Sequence, residues 1–260
     1  MTILDEINQH KRLEIEEAKK IISIEEMKKS PFFSRKCNSL KKVLQTKGAS
    51  GIIAEFKTKS PSKGIINDQV DVEEVTSAYV SAGVSGLSVL TDLKYFGGSF
   101  SNLAEARFAN PKTPILRKDF MLDEYQVYEA KAHGADLILL IAASLSKKEM
   151  KRLTEVAKYL KMEVLVEVHA EEEIEKLNPL VDLVGVNNRN LKTFEVDIET
   201  SVRLSKLLPD DVVQISESGL SSVENISYLR KHGFKGFLMG ENFMKEKNPG
   251  QACLEFIKQL

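Results

Sequence analysis

Cysteine is scarce in this chain. Only Cys37 and Cys253 occur in 260 residues, far apart and without metal-ligand partners nearby. That argues against a disulfide framework, and such sparing use suits a reducing compartment. An excess of one charge is missing as well. Lys plus Arg number 37 against 38 for Asp plus Glu, a net charge of −1. That argues against a nucleic-acid binder or a polyanion-binding surface, but not against a small anionic ligand held by a few local donors. There is no long hydrophobic run. The longest, around "LILLIAA", is far too short to span a bilayer, and the charged opening "MTILDEINQHKRLEIEEAKK" has no apolar signal core. The four histidines, His10, His133, His169 and His232, show no metal-ligand spacing, and His169, close to Glu167, reads as a structural loop residue. No low-complexity segment or linker divides the chain. What remains is a soluble cytoplasmic protein in which 42% hydrophobic residues supply ample core.

Three segments echo one another: "VSAGVSGLSVL", "AKAHGADLILL" and "LRKHGFKGFLMG". Each ends a helix-like stretch at a glycine (Gly83, Gly134, Gly233) and then enters a short apolar run. Glycine past a helix end takes the left-handed conformation without steric cost. The whole chain reads as eight apolar runs, starting near Ile52, Gly86, Ile115, Asp136, Val164, Asp182, Val212 and Lys235. They are mostly continuous hydrophobics, as parallel strands covered on both faces require. Between them lie helical stretches such as Asp123 to His133, Ser146 to Leu160 with a Ser146/Glu149 capping box, and Ser221 to Lys231. Pro249 to Ile257 closes the chain.

Eight strand–helix units in roughly 210 residues fit a (β/α)8 TIM barrel, usually about 250 residues long. The competing doubly wound sheet is disfavoured because no Gly-x-Gly-x-x-Gly follows the first strand. Residues 1–46 read as an N-terminal helical extension of a single barrel domain spanning 1–260. In it Leu4, Ile7, Ile15, Ala18 and Ile22 form a helical stripe, and Ser23-x-x-Glu26 opens a second helix. The stripe needs cover, so the extension is expected to pack across one end of the barrel. Part of it could close over a ligand.

In such a barrel, catalytic groups sit at the C-terminal strand ends and in the following loops. Polar residues recur there. Glu55 and Lys57 end the first strand, Lys118 the third, Glu167 the fifth and Asn187 with Arg189 the sixth. "SESG" (Ser216 to Gly219) ends the seventh, and Gly240 with Glu241 the eighth. So many charges converging on one rim imply a site, because a low-dielectric mouth lined with unpaired charge would be costly. A phosphate site is expected separately. "SESGL" and Gly240 offer backbone N–H groups that an anion can approach, and the Ser60-Pro61-Ser62-Lys63-Gly64 loop adds a hydroxyl and a positive charge. Glu241 suits such a site only if its carboxylate points away.

The stretches "IAEFKTKSPSKG", "LTDLKYFGGS", "LRKDFMLDEYQVYEA", "LLIAASLS", "LVEVH", "GVNNRNLKTFEVD" and "SESG", in this order, resemble the indole-3-glycerol-phosphate synthase family of tryptophan biosynthesis. The resemblance runs from about Leu4 to the C-terminus. It implies a (β/α)8 barrel with an extra N-terminal helical segment. It also implies conversion of 1-(o-carboxyphenylamino)-1-deoxyribulose 5-phosphate to indole-3-glycerol phosphate, carbon dioxide and water, with no cofactor. By that resemblance Lys118 is the general acid of ring closure, and Glu167 serves the proton transfers of dehydration. Lys57 engages the substrate carboxylate or acts as a second acid, and Glu55 positions the reacting groups. Asn187, Arg189, Phe96, Phe120 and Leu191 contact the anthranilate and sugar portions. Ser60, Ser218, Gly219, Gly240 and the backbone at Glu241 form the phosphate site. No departure from the family pattern falls at a catalytic position.

The chemistry suits these residue types independently. Ring closure puts charge on a carbonyl oxygen, which a positioned ammonium can stabilise and protonate. Two rival enzymes remain on the same fold, a phosphoribosylanthranilate isomerase and a Schiff-base aldolase using Lys118. From another class comes a catalytically inactive phosphate-ligand sensor. The partner in every case is a small phosphosugar, not nucleic acid or membrane. Oligomeric state is open, with a monomer plausible.

Overall fold

A computed structural model describes residues 2–191 and 193–260. Ahead of the barrel stand α1 (Ile3–Ile21), α2 (Ile24–Met27) and α3 (Leu40–Gln45). Eight parallel strands then close on themselves: β1 Ile52–Phe56, β2 Gly86–Leu90, β3 Ile115–Lys118, β4 Leu137–Ile141, β5 Glu163–Val168, β6 Leu183–Asn187, β7 Val213–Glu217 and β8 Gly236–Met239. Each pairs with the next, and β8 returns to β1 through Ile52 opposite Phe237. The strands begin at or beside the expected residues. Asp136 and Asp182 fall just outside because their carboxylates cap neighbouring strands. Asp136 accepts the Ile115 N–H at 2.8 Å, and Asp182 the Val164 N–H at 2.8 Å.

The helices around the barrel are α4 (Val72–Ser81), α5 (Leu93–Phe96), α6 (Phe100–Ala109), α7 (Glu124–Ala132), α8 (Lys147–Tyr159), α9 (Glu199–Ser205), α10 (Val223–Lys231), α11 (Glu241–Met244) and α12 (Pro249–Ile257). Their limits follow local chemistry. Ser146 and Glu149 form the expected capping box of α8, and Gly83, Gly134 and Gly233 stand at φ 95°, 89° and 96° beyond α4, α7 and α10. The N-cap of α10 is Ser222, not Ser221, because the Ser222 hydroxyl accepts the Asn225 N–H while Ser221 lines a cavity. Among the described residues, no helix is long and apolar enough to cross a membrane.

Alternation along the strands places the site. Side chains two apart share a face. Ile53, Leu116, Leu165, Leu183, Ile215 and Leu238 form one buried cluster with Leu137, Leu139, Ile141 and Val213, separate from the larger core under the helices. Two residues beyond each of four of them stand Glu55, Lys118, Glu167 and Glu217, and Leu183 leads by the same parity to Asn187. Each inward-facing strand thus changes from apolar to polar on approaching the mouth.

The extension serves both ends of the barrel, where the sequence had suggested one. At the end away from the mouth, Leu40 and Leu44 of α3 join the interior cluster. The Ser39 hydroxyl and the Leu40 and Lys41 N–H groups are held by the Glu163 carboxylate. At the mouth, α1 brings Ile3, Leu4 and Ile7 to the cavity wall. Its buried face is Leu4, Ile7, Lys11 and Ile15, while Ile22 lies past the helix end and is largely exposed.

Candidate active site

A cavity of about 380 Å³ opens at the C-terminal ends of the strands. Its walls bring together Glu55, Lys57, Ser60, Phe96, Lys118, Phe120, Glu167, Asn187, Arg189, Leu191, Ser218, Gly219, Gly240 and Glu241, but not Lys63, whose positive charge the sequence led one to expect at the phosphate site. The charges among them are not bare. Lys118 Nζ lies 2.8 Å from Glu167 Oε2 and 3.0 Å from Glu217 Oε2. Lys57 Nζ lies 2.7 Å from Glu55 Oε1, and the Ser88 hydroxyl donates to the other Glu55 oxygen at 3.3 Å. The cost of gathering charge at the mouth is met by pairing lysines with carboxylates.

The lysine between two carboxylates sets their titration. Burial works against the charge on Lys118, but Glu167, Glu217 and Glu55 outweigh it and raise its pKa above the ordinary lysine value. Burial also opposes ionisation of Glu167, and the Lys118 ammonium and His169 overcome it, holding this carboxyl well below its usual range. Glu217 goes the other way. Burial, helped by the neighbouring Glu167 carboxylate and only partly offset by Lys118, pushes it up to about 7. Two like groups on one cation thus differ, one firmly ionised and one able to exchange a proton at neutral pH.

Around this polar floor the walls change character. Phe96 and Phe120 tilt against each other with ring centroids 5.9 Å apart. Arg189 is anchored by its N–H on Asn187 Oδ1 at 3.0 Å and donates its guanidinium to the Phe194 carbonyl at 3.2 Å. Ser60 is buried, and its hydroxyl has no partner among the described residues. Ser218 and Gly219 both have positive φ, 67° and 71°. A Cβ at residue 219 would run into Val196, so a glycine is needed there both for the turn and for the close approach. The Glu241 carboxylate, 40% exposed, is 3.6 Å from Lys63 Nζ.

Beside the cavity, α1 is latched to the strand end that carries Lys118. Lys11, 4% exposed, places Nζ 2.8 Å from Asp92 and 3.1 Å from Asp119, the residue after Lys118. Arg117 reaches Asp119 at 2.8 Å and Glu129 at 2.9 Å. Burial opposes ionisation of Asp119, yet Arg117 and Lys11 outweigh it and hold the carboxyl below its usual range.

The model of the indole-3-glycerol phosphate synthase family matches residues 4–256. The chain belongs to that family. It is 47% identical to the indole-3-glycerol phosphate synthase of Bacteroides thetaiotaomicron over 258 residues, 99% of this chain and 98% of that protein. It is 43% identical to a Prochlorococcus marinus member over 254 residues, covering 95% and 86%. Among solved structures, 3-hexulose-6-phosphate synthase from Salmonella typhimurium superposes with a TM-score of 0.63 at 13% identity, covering 80% of this chain and 99% of that one. A chain of the tryptophan synthase complex of Pyrococcus furiosus gives 0.58 at 16%, covering 82% and 98%. At such identities the likeness shows the barrel alone.

Against this family background, sequence reasoning missed three features. Glu217 counts in the sequence among the polar residues of the rim but receives no role of its own there, although its parity with inward-facing Ile215 sets its carboxylate beside Lys118. Lys11 sits in the apolar stripe of α1, and a cation there needs a buried partner. His169, read as a structural loop residue, places Nε2 3.2 Å from Glu167 Oε1.

Proposed function

We propose that the chain converts 1-(o-carboxyphenylamino)-1-deoxyribulose 5-phosphate to indole-3-glycerol phosphate, carbon dioxide and water, with Lys118 as the acid of ring closure. The observation that carries this reading is Lys118 itself, an ammonium gripped by two buried carboxylates in a cavity that also holds paired phenylalanines, hydroxyls and glycines. The ring carbon bearing the carboxylate attacks the ribulose carbonyl. As the new carbon–carbon bond forms, the carbonyl oxygen gains charge and takes the Lys118 proton, and the aniline nitrogen becomes an iminium. An alkoxide is basic enough to draw that proton even from a lysine held above its ordinary value. Glu217, titrating near neutrality, is placed to return it.

Loss of carbon dioxide sends the carbon–carbon electron pair to the iminium, so what the carboxylate needs is orientation. Lys57 supplies it, held in turn by Glu55. Expulsion of the hydroxyl as water then requires an acid that protonates the leaving oxygen, a role open to Lys118 once its proton has been returned. It also requires a base that takes a proton from the new ring, and Glu167 is the carboxylate kept ionised for that work. Ser60, Ser218, Gly219, Gly240 and the backbone at Glu241 receive the phosphate. Asn187, Arg189, Phe96, Phe120 and Leu191 flank the ring and sugar. Purified enzyme mixed with the carboxyphenylamino substrate should generate indole fluorescence and carbon dioxide in equal amounts. Folded protein that gives neither would overturn the reading.

A further inference from the structure

We infer that His169 is a positioning residue for this reaction: an imidazolium packed on one oxygen of Glu167, it decides which of the two carboxylates around Lys118 stays ionised. The inference rests on the ring-closing reading above. His169 follows β5 directly, and its side chain is 10% exposed. The Glu167 carboxylate is gripped from two sides, with Lys118 Nζ 2.8 Å from Oε2 and His169 Nε2 3.2 Å from Oε1. The other ring nitrogen, Nδ1, lies 3.7 Å from Glu173 Oε2, and that same oxygen accepts the His169 backbone N–H at 2.7 Å. Glu173 stands on the 3-10 turn Glu171–Lys176 that follows β5.

A neutral imidazole has one N–H and one lone pair. Between two carboxylates, its lone pair must face a carboxylate oxygen, which is repulsive. A protonated ring presents N–H groups to both. The charged groups facing the ring are Glu167 and Glu173, with Lys118 and Glu217 behind Glu167. Lys176, on the same turn, gives its ammonium to the Ala142 carbonyl. Burial disfavours the ring's charge, but the two carboxylates outweigh it and raise its pKa to about 9.

The consequence falls on the pair around Lys118. Glu167 and Glu217 are both buried and both touch the same ammonium, so the lysine alone does not distinguish them. His169 contacts only Glu167 and breaks that symmetry, leaving the proton to Glu217. Among the described residues neither ring nitrogen completes a hydrogen bond, so the contact is one of charge.

The test uses the full-length enzyme, His169→Gln and Glu173→Gln, with imidazole NMR titration and pH profiles of kcat and KM. In the parent, His169 should titrate well above the ordinary histidine value, and in Glu173→Gln lower by on the order of one unit. His169→Gln should lose about tenfold in kcat with KM nearly unchanged, a modest part of the 10²–10⁴ that a general acid or base supplies. Glu173→Gln, which keeps an acceptor for the His169 N–H, should move the basic limb of kcat to lower pH. That variant serves where His169→Gln folds poorly. An active parent whose His169 titrates at or below its ordinary value would overturn this inference alone. So would variants that match the parent in kcat at every pH. A parent that makes no product would overturn the reaction reading instead, while the NMR titration would still decide the pairing.

Discussion

The two ends of the barrel both carry buried or half-buried carboxylates, but they use them on different partners. Away from the mouth, Glu163 and Asp136 hold the extension by its backbone: Glu163 takes the first N–H groups of α3, and Asp136 takes the Asn38 N–H at 2.7 Å together with Arg35 and Arg107. At the mouth, Glu55, Glu167 and Glu217 hold lysine ammonium groups instead. A backbone N–H cannot release its proton at neutral pH, so the first arrangement only fastens. An ammonium can be displaced or deprotonated, so the second can react. The packing differs in the same sense, with Leu40 and Leu44 filling one end and a cavity left open at the other.

The contrast is broken most severely at Lys118. Lys118→Met keeps the apolar stem and deletes the proton. Its partner in the transition state becomes anionic only there, so turnover should fall by 10² to 10⁴ while KM changes little. Glu217, already near neutrality, can take up a proton and spare the fold part of the cost. Near-normal turnover in Lys118→Met, with loss in Lys57→Met, would exchange the two roles.

The next comparison sets Lys11→Met at the mouth against Leu40→Ala at the far end. Removing Lys11 leaves Asp92 buried without its cation and Asp119 with Arg117 alone, which should cost about 3–5 kcal/mol. Truncating Leu40, 1% exposed, should cost about 2–5 kcal/mol. Denaturant titrations should therefore show similar losses, but only Lys11→Met should also depress turnover, because Asp119 adjoins Lys118. Equal effects on turnover would dissolve the distinction between the ends.

Much of this was legible in the chain. The eight runs, the glycines past α4, α7 and α10 and the capping residues of α7 and α8 are local signals, and local chemistry fixes them. The residues of the site were legible because polar groups at strand ends must face the mouth of such a barrel. The role of Glu217 and the pairing of Lys11 were not, for one shared reason. Their meaning depends on which residue from another element meets them, and a carboxylate in "SESG" or a lysine in an amphipathic helix looks ordinary until Lys118 or Asp119 is beside it. The double attachment of the extension was hidden likewise, since a stripe of Leu and Ile says that cover is needed without saying which end supplies it.

Two glycines sharpen the comparison at smaller scale. A Cβ at Gly185 on β6 would run into Glu217 Oε1, and one at Gly86 on β2 would come within 2.7 Å of Leu40 Cδ1. Gly86→Ala should overpack the far end and cost about 1–3 kcal/mol with turnover intact. Gly185→Ala likewise meets a side-chain end, so it should cost a comparable amount of stability but, unlike Gly86→Ala, also turnover as Glu217 shifts away from Lys118. Melting curves and kcat of the two variants decide it, and equal turnover in the two would count against the assignment.

The smallest expected effect is in the pH dependence of stability. A histidine whose folded pKa, about 9, exceeds its ordinary 6.5 stabilises the fold fully below 6.5 and loses that contribution as pH rises through 9. The stability difference between the parent and His169→Gln should therefore shrink by on the order of 1–3 kcal/mol from pH 6 to 9.5. Subtracting the variant from the parent removes titrations common to both. Leu40→Ala, which changes no titratable group and acts at the other end of the barrel, should show a difference that stays flat over the same range. If the His169→Gln difference is also flat, the ring is neutral in the folded protein and the charge contact at Glu167 is absent. If it grows with pH, the sign is wrong and burial of the ring outweighs its two carboxylates.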